Sequence, residues 1–321
     1  MKVTPLIYNH ISYNKMQPRL NSSFGCSDCD FTSNPYTDKA FEVSNKILNE
    51  MRDRVIPVRE MGRIANVQTK TMLPFSSLTS AYTEFKIDFN TGKIVHAPVI
   101  VVPLAESGEK MAKTLYVMNF AHELTHKYQI DEEVDPQSQL IKDTLISGFK
   151  LREIGDDFIR FTNYHCGQIE GDLMRKVVWY VLGEEGRDSY AKTGGLVLTN
   201  AIVNKTEIAN ALGYKDESEF VANFAKDNVP FDEIVETICT RNPIIARKCV
   251  DSPTQTKEKM RTILIKYFRN LFRIEKEARL TENKIAKLQG YDDKSSKCIG
   301  QYFEMVEKSF SAYLENLHSY T

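Results

Sequence analysis

VMNFAHELTHKY, residues 117–128, decides how this chain is read. Val117, Phe120, Ala121, Leu124 and Tyr128 recur at i, i+3, i+4, i+7 and i+11, which lines them up as one apolar stripe of a helix. Ser107 stands where an N-cap is needed, Glu109 falls in the first turn, and the helix is expected to end near residues 131–136. Upstream the period changes to two. In TEFKIDF, residues 83–89, Phe85, Ile87 and Phe89 alternate with Glu84, Lys86 and Asp88, the pattern of a half-buried strand. Asn90-Thr91-Gly92 supplies a turn, and residues 94–102, mostly β-branched, read as a second strand. Pro98 and Pro103 each remove a ladder donor, so this strand belongs at an edge or carries a bulge.

Outside this unit the periodicity is mainly helical. Thr37 or Asp38 is placed to cap a helix running to about Arg54, with Phe41, Ile47, Leu48 and Met51 on its apolar side. Further helices are expected over 137–153, 167–182, 195–212, 217–228, 231–240, 254–288 and 297–317. The charged segment 254–288 carries Ile263, Leu264, Tyr267, Phe268, Leu271, Phe272 and Ile274, so it is expected to pack against a neighbour. The fold class read from this pattern is α+β, predominantly helical, with a small sheet beside the helix quoted above. Three parts are expected: an extended arm over 1–36, a core over 37–185, and a helical region over 186–321.

Composition narrows the function. Forty-two Lys and Arg balance 43 Asp and Glu for a net charge of −1, which argues against nucleic-acid wrapping or coating of an anionic membrane. The longest apolar run, residues 97–104, contains two prolines and falls far short of the roughly 18 residues that span a bilayer. The first 15 residues lack the apolar stretch of a secretory signal. Six scattered cysteines are too sparse for a disulfide scaffold and fit a reducing compartment, so a cytoplasmic setting is expected. Cys26 and Cys29 form a C-x-x-C without a second ligand pair at similar spacing, and their flanks read as loop.

The chemistry lies in AHELTHKYQ, residues 121–129. His122 and His126, one helical turn apart, present both imidazoles on one face, within reach of one Zn²⁺. Glu123, rotated about 100° from His122, stands beside such a metal and is placed to take a proton from water that zinc acidifies. H-E-x-x-H arises by accident in roughly one chain in a hundred of this length and histidine content.

On these residues, and on the hairpin before them, the chain resembles the zincin metallopeptidases over about residues 80–180. The resemblance implies zinc as cofactor, a protein or peptide substrate, and hydrolysis of its peptide bonds with Glu123 as general base. The metzincin third histidine is absent, because no His lies six residues beyond His126. Gluzincins draw a Glu from a downstream helix, and QIEGDLMRKVVWY then offers Glu170 as third ligand and Asp172 as the carboxylate that orients a ligand histidine. Many gluzincins place that Asp four residues after the Glu, where this chain has Met174; the spacing of two is similar to the E-A-D form of some bacterial peptidases. Glu153, His165 and Asp172 itself compete for the third ligand. Tyr164 and His165 are candidate donors to the oxyanion of a tetrahedral intermediate, ahead of Tyr128 and Tyr180. The Asn/Ser-rich arm and free cysteines also suit a bacterial effector protease delivered into a host cell by a dedicated secretion system. Two other readings stay open: a non-catalytic helical protein-binding module with an incidental H-E-x-x-H, and a zinc hydrolase of non-peptide amides.

Overall fold

Asn34 opens the first helix through a reciprocal cap. Its Oδ1 accepts from the Thr37 amide at 2.9 Å, its own amide donates to Thr37 Oγ1 at 3.2 Å, and Pro35 follows at the first helical position. Helix α1, Pro35–Glu50, therefore starts before Thr37 and Asp38, and Thr37 serves as the returning partner of the cap. The computed structural model describes residues 34–54, 56–68, 81–88, 93–100, 110–130, 149, 151–181, 183–184, 204–291 and 294–318. Residues 1–33 of the expected arm, Cys26, Cys29, Ser107, residues 137–148 and residues 195–203 lie outside them.

After α1 come α2, Val58–Ala65, and strands β1, Ala81–Asp88, and β2, Lys93–Ile100. The strands pair antiparallel, with Ala81 opposite Ile100 and Asp88 opposite Lys93. Helix α3, Lys110–Ile130, carries H-E-x-x-H, and the hairpin packs beside it. Helix α4, Leu151–Asp172, runs on through a π-helical turn, Leu173–Val178, and a short turn, Trp179–Val181. Then follow α5, Lys205–Ala211; α6, Glu217–Asn228; α7, Phe231–Arg241; α8, Pro243–Asp251; α9, Pro253–Leu288; and α10, Lys294–His318.

The α+β fold class is corrected. The described residues are almost wholly helical, and they contain no sheet layer of the zincin kind; their strands amount to one isolated hairpin. Helices bury their apolar stripes against other helices: α9 packs on α1, α3 and α10. A second correction concerns the helix expected to start at Gly167, and with it TNYHCG, residues 162–167. That stretch lies inside α4, because Phe158, Thr162, Cys166 and Ile169 bury one stripe of that helix, and packing outweighs the modest helix propensity of Thr, Asn and Gly.

Two apolar cores result. One gathers Ile47 and Leu48 of α1, Met61 of α2, Val117, Phe120 and Leu124 of α3, and Ile285 and Ala286 of α9. The other gathers Phe158 and Ile169 of α4 with Phe220, Ile234, Phe268, Phe272, Tyr302 and Phe310 from the later helices. With 36 residues α9 is roughly 54 Å long and threads both cores. The stretch between its two apolar ends faces the histidine side of α3.

Candidate metal centre

Along α9, Leu264, Phe268, Leu271, Glu275, Ala278, Glu282 and Ile285 recur at alternating steps of four and three, and every one is buried. That is the a/d seam of a heptad, in which two carboxylates replace apolar residues. Uncompensated carboxylates in a helix seam cost several kcal/mol, so their burial demands partners. The partners stand on α3, where His122, Thr125, His126 and Gln129 form a polar stripe on the side away from the apolar one. Thr125 Oγ1 donates to Thr281 Oγ1 at 2.8 Å and fixes the register of the two helices.

In this register the His122 and His126 Nε2 atoms lie 3.0 Å apart. Glu275 closes the triangle, with Oε2 3.3 Å from His122 Nε2 and Oε1 3.2 Å from His126 Nε2. One ligand atom from each of the three residues falls within 4.8 Å of the others, and all three residues are buried. On the far side of each ring stands an acceptor. Glu282 Oε1 is 3.1 Å from His122 Nδ1, and Gln129 Oε1 is 3.0 Å from His126 Nδ1. With the Nδ1 atoms facing these acceptors, both Nε2 lone pairs converge with a carboxylate on one point, an arrangement that needs a cation or a proton between them. Two imidazole nitrogens and one carboxylate oxygen are a donor set of catalytic zinc. The residues therefore fit the metal that the sequence implies.

The electrostatics agree with a site built around positive charge. Burial alone would lower the His122 pKa, but the charge of Glu282 and hydrogen bonds to Glu275 and Glu282 outweigh it and raise it to about 10. Burial works against ionised Glu275 as well, yet the facing His126 and His122 hold its carboxyl well below the ordinary range. Glu123 differs: burial pushes it up to about 7, with His122 and His126 pulling down and Glu275 and Glu282 adding to the rise. A carboxyl that exchanges its proton near neutrality beside a ligand pair is equipped for general acid–base work.

The residues expected from sequence are distributed as follows. His122, Glu123 and His126 are all buried on α3, the two histidines on one face and Glu123 about 100° round the helix from His122. Among the described residues the carboxylate that joins them is Glu275. Glu170 and Asp172 end α4, and their side chains lie outside the described residues. Tyr164 and His165 stand on the same helix, whose buried stripe belongs to the other core. Tyr164 is 60% exposed, and its hydroxyl accepts from Gln168 Nε2 at 2.7 Å. His165 packs edge-on against Tyr164, and burial lowers its pKa against the opposing charge of Glu233. Glu153 is paired with Lys248 at 3.0 Å, Tyr128 is buried in the α1–α3 core, and Tyr180 is 73% exposed. Sequence reading missed Glu275 and Glu282, although two acidic residues seven apart on the apolar seam of α9 were a legible signal.

No protein-family model, no curated protein and no solved structure matches this chain. Among the described residues no helix is long and apolar enough to cross a membrane.

Proposed function

We propose that this chain is a zinc-dependent hydrolase that cuts peptide bonds of a protein or peptide substrate. His122, His126 and Glu275 hold the metal, and Glu123 is the general base. The observation that carries the reading is the buried convergence of those three side chains on one point, Glu275 lying 149 residues beyond His126 in sequence, with buried Glu123 within the electrostatic influence of all three. Bound there, zinc would supply Lewis-acid polarisation of a carbonyl and acidification of water. Glu123 takes the proton of the attacking water and returns it to the leaving amine, two transfers for which a carboxyl raised to about 7 is matched to neutral pH. Glu282 and Gln129 hold the two imidazoles with Nε2 toward the ligand point.

The test is zinc content and peptide-library cleavage by the full chain, for wild type and Glu123→Gln side by side. The variant should keep one zinc per chain and lose cleavage by about 10²–10⁴-fold. Cleavage at the wild-type rate by the variant would refute the role of Glu123. A wild type that holds zinc yet cuts no peptide would move the reaction to non-peptide amides, and a wild type that holds no zinc would leave a helical binding protein.

A further inference from the structure

We infer that Tyr36, Glu277 and Gln129 form a positioning relay that sets the tautomer of His126 and ties helix α1 to the metal centre; the inference rests on the zinc reading above. Gln129 Nε2 donates to the backbone oxygen of Ile274 at 2.9 Å and to Glu277 Oε2 at 2.8 Å. A backbone carbonyl accepts and never donates, so the amide is held in one orientation, because a flipped Gln129 would set its own oxygen against that carbonyl. The remaining atom, Oε1, faces His126 Nδ1 at 3.0 Å and can only accept. The His126 proton therefore sits on Nδ1, and the Nε2 lone pair points at Glu275 and His122. Glu277 is itself fixed by the hydroxyl of Tyr36, which donates to Oε1 at 2.9 Å. Three helices are joined in this chain: α1 through Tyr36, α3 through Gln129 and His126, and α9 through Ile274 and Glu277.

The arrangement is distinct from the one behind His122. There the acceptor is a carboxylate, Glu282, which raises the basicity of its ring; behind His126 it is a neutral amide whose orientation is set by Ile274 and Glu277 of α9, the latter held in turn by Tyr36 of α1. Outer partners of ligand histidines typically govern 10–100-fold in metal affinity. Gln129 and Glu277 are positioning residues: they touch neither the ligand point nor, in the proposed reaction, the substrate.

The relay is tested on the full chain with Gln129→Met and Tyr36→Phe, by zinc competition against a chromophoric chelator and by ¹⁵N–¹H correlation of the His126 ring in metal-free protein. Wild type should show the Nδ1–H form. Gln129→Met should lose that preference and bind zinc 10–100-fold more weakly. Tyr36→Phe removes one remote hydroxyl and should weaken zinc several-fold with an unchanged fold, so it carries the test even where Gln129→Met fails to fold. Zinc affinity within twofold of wild type in Tyr36→Phe, or a wild-type ring without a proton on Nδ1, would overturn the relay. A wild type without measurable zinc affinity would refute the metal reading instead, and the ring tautomer would still decide the relay.

Discussion

Arg279 Nη1 donates to both carboxylate oxygens of Glu282, at 2.8 and 3.1 Å, and the carboxylate so held stands 3.1 Å from Nδ1 of His122. One turn of α9 separates the guanidinium from the carboxylate, so the pair is built locally and presented as a unit to α3. Its effect is on the ring: a buried carboxylate behind Nδ1 keeps that proton in place and makes Nε2 a stronger donor to a metal. Glu282→Gln, which preserves shape and removes the charge, should weaken zinc binding by about 10–100-fold. Competition with a chelator of known affinity reads this directly. Unchanged affinity would mean that His122 needs no orienting charge.

Glu275 and Glu170 make opposite predictions for metal content. Glu275 lies within 3.3 Å of both ligand nitrogens, whereas Glu170 closes a helix of the other core. Glu275→Ala should therefore purify with markedly less than one zinc per chain, and Glu170→Ala with the wild-type amount. Plasma mass spectrometry on untagged protein gives the answer, and the reverse result would put the third ligand on α4.

The contrast between those two glutamates explains what could be read in the sequence. His122, Glu123 and His126 are legible because their relationship is local: one helical turn fixes it, and the apolar stripe from Val117 to Tyr128 announces the helix. The carboxylate proposed as third ligand, Glu275, lies 149 residues beyond His126, and no spacing rule reaches that far. What remained visible was the seam of α9, where Glu275 and Glu282 occupy positions that Phe268, Leu271 and Ile285 otherwise keep apolar. Helices with strong internal periodicity, such as Glu217–Asn228 and Pro253–Leu288, have the boundaries expected of them to within a residue. Helix α4 does not, because Thr162, Asn163 and Gly167 are poor local helix formers held in a helix by the burial of Phe158, Cys166 and Ile169. Helix α8 escaped notice for a related reason: nine residues after an Asn-Pro offer too short a window for periodicity, and its start is fixed by a cap.

That cap, Asn242, is the basis of a stability prediction. Its Oδ1 accepts from the amides of Ile244 and Ile245 at 3.0 and 3.1 Å, while its Nδ2 donates to the carbonyls of Glu153 and Ile154 at 2.6 and 2.8 Å. One side chain thus starts α8 and satisfies the opening turn of α4, which breaks at Gly155 with φ 73° and ψ −177°. Loss of an N-cap costs about 1 kcal/mol and a stranded buried carbonyl about 1–3 kcal/mol, so Asn242→Ala should destabilise by about 2–4 kcal/mol in a urea melt. Gly155→Ala should cost about 1–3 kcal/mol, since that backbone conformation belongs to glycine and the added carbon would meet Asn242 Nδ2 at 3.2 Å. Neither variant alters a metal ligand, so zinc stoichiometry should hold at one per folded chain.

Metal and proton compete for His122, and the competition has a defined sign. In the metal-free chain Glu282 and Glu275 raise the His122 pKa to about 10 in spite of burial, so the ring is an imidazolium at pH 7.5. Its unfolded value is about 6.5. A group raised on folding stabilises fully below its unfolded pKa and loses that contribution as pH climbs through the folded one, so this part of the metal-free stability should fade between about pH 6.5 and 10. Zinc requires the neutral ring, and binding at pH 7.5 should accordingly expel about one proton from His122. Calorimetric titration in buffers of different ionisation enthalpy measures that number as a slope. Apparent affinity should also climb by about tenfold per pH unit between pH 7 and 9, as each unit removes one tenfold share of the proton's competition. A slope of zero with pH-independent affinity would mean that His122 is already neutral before the metal arrives, and that Glu282 acts by orientation alone.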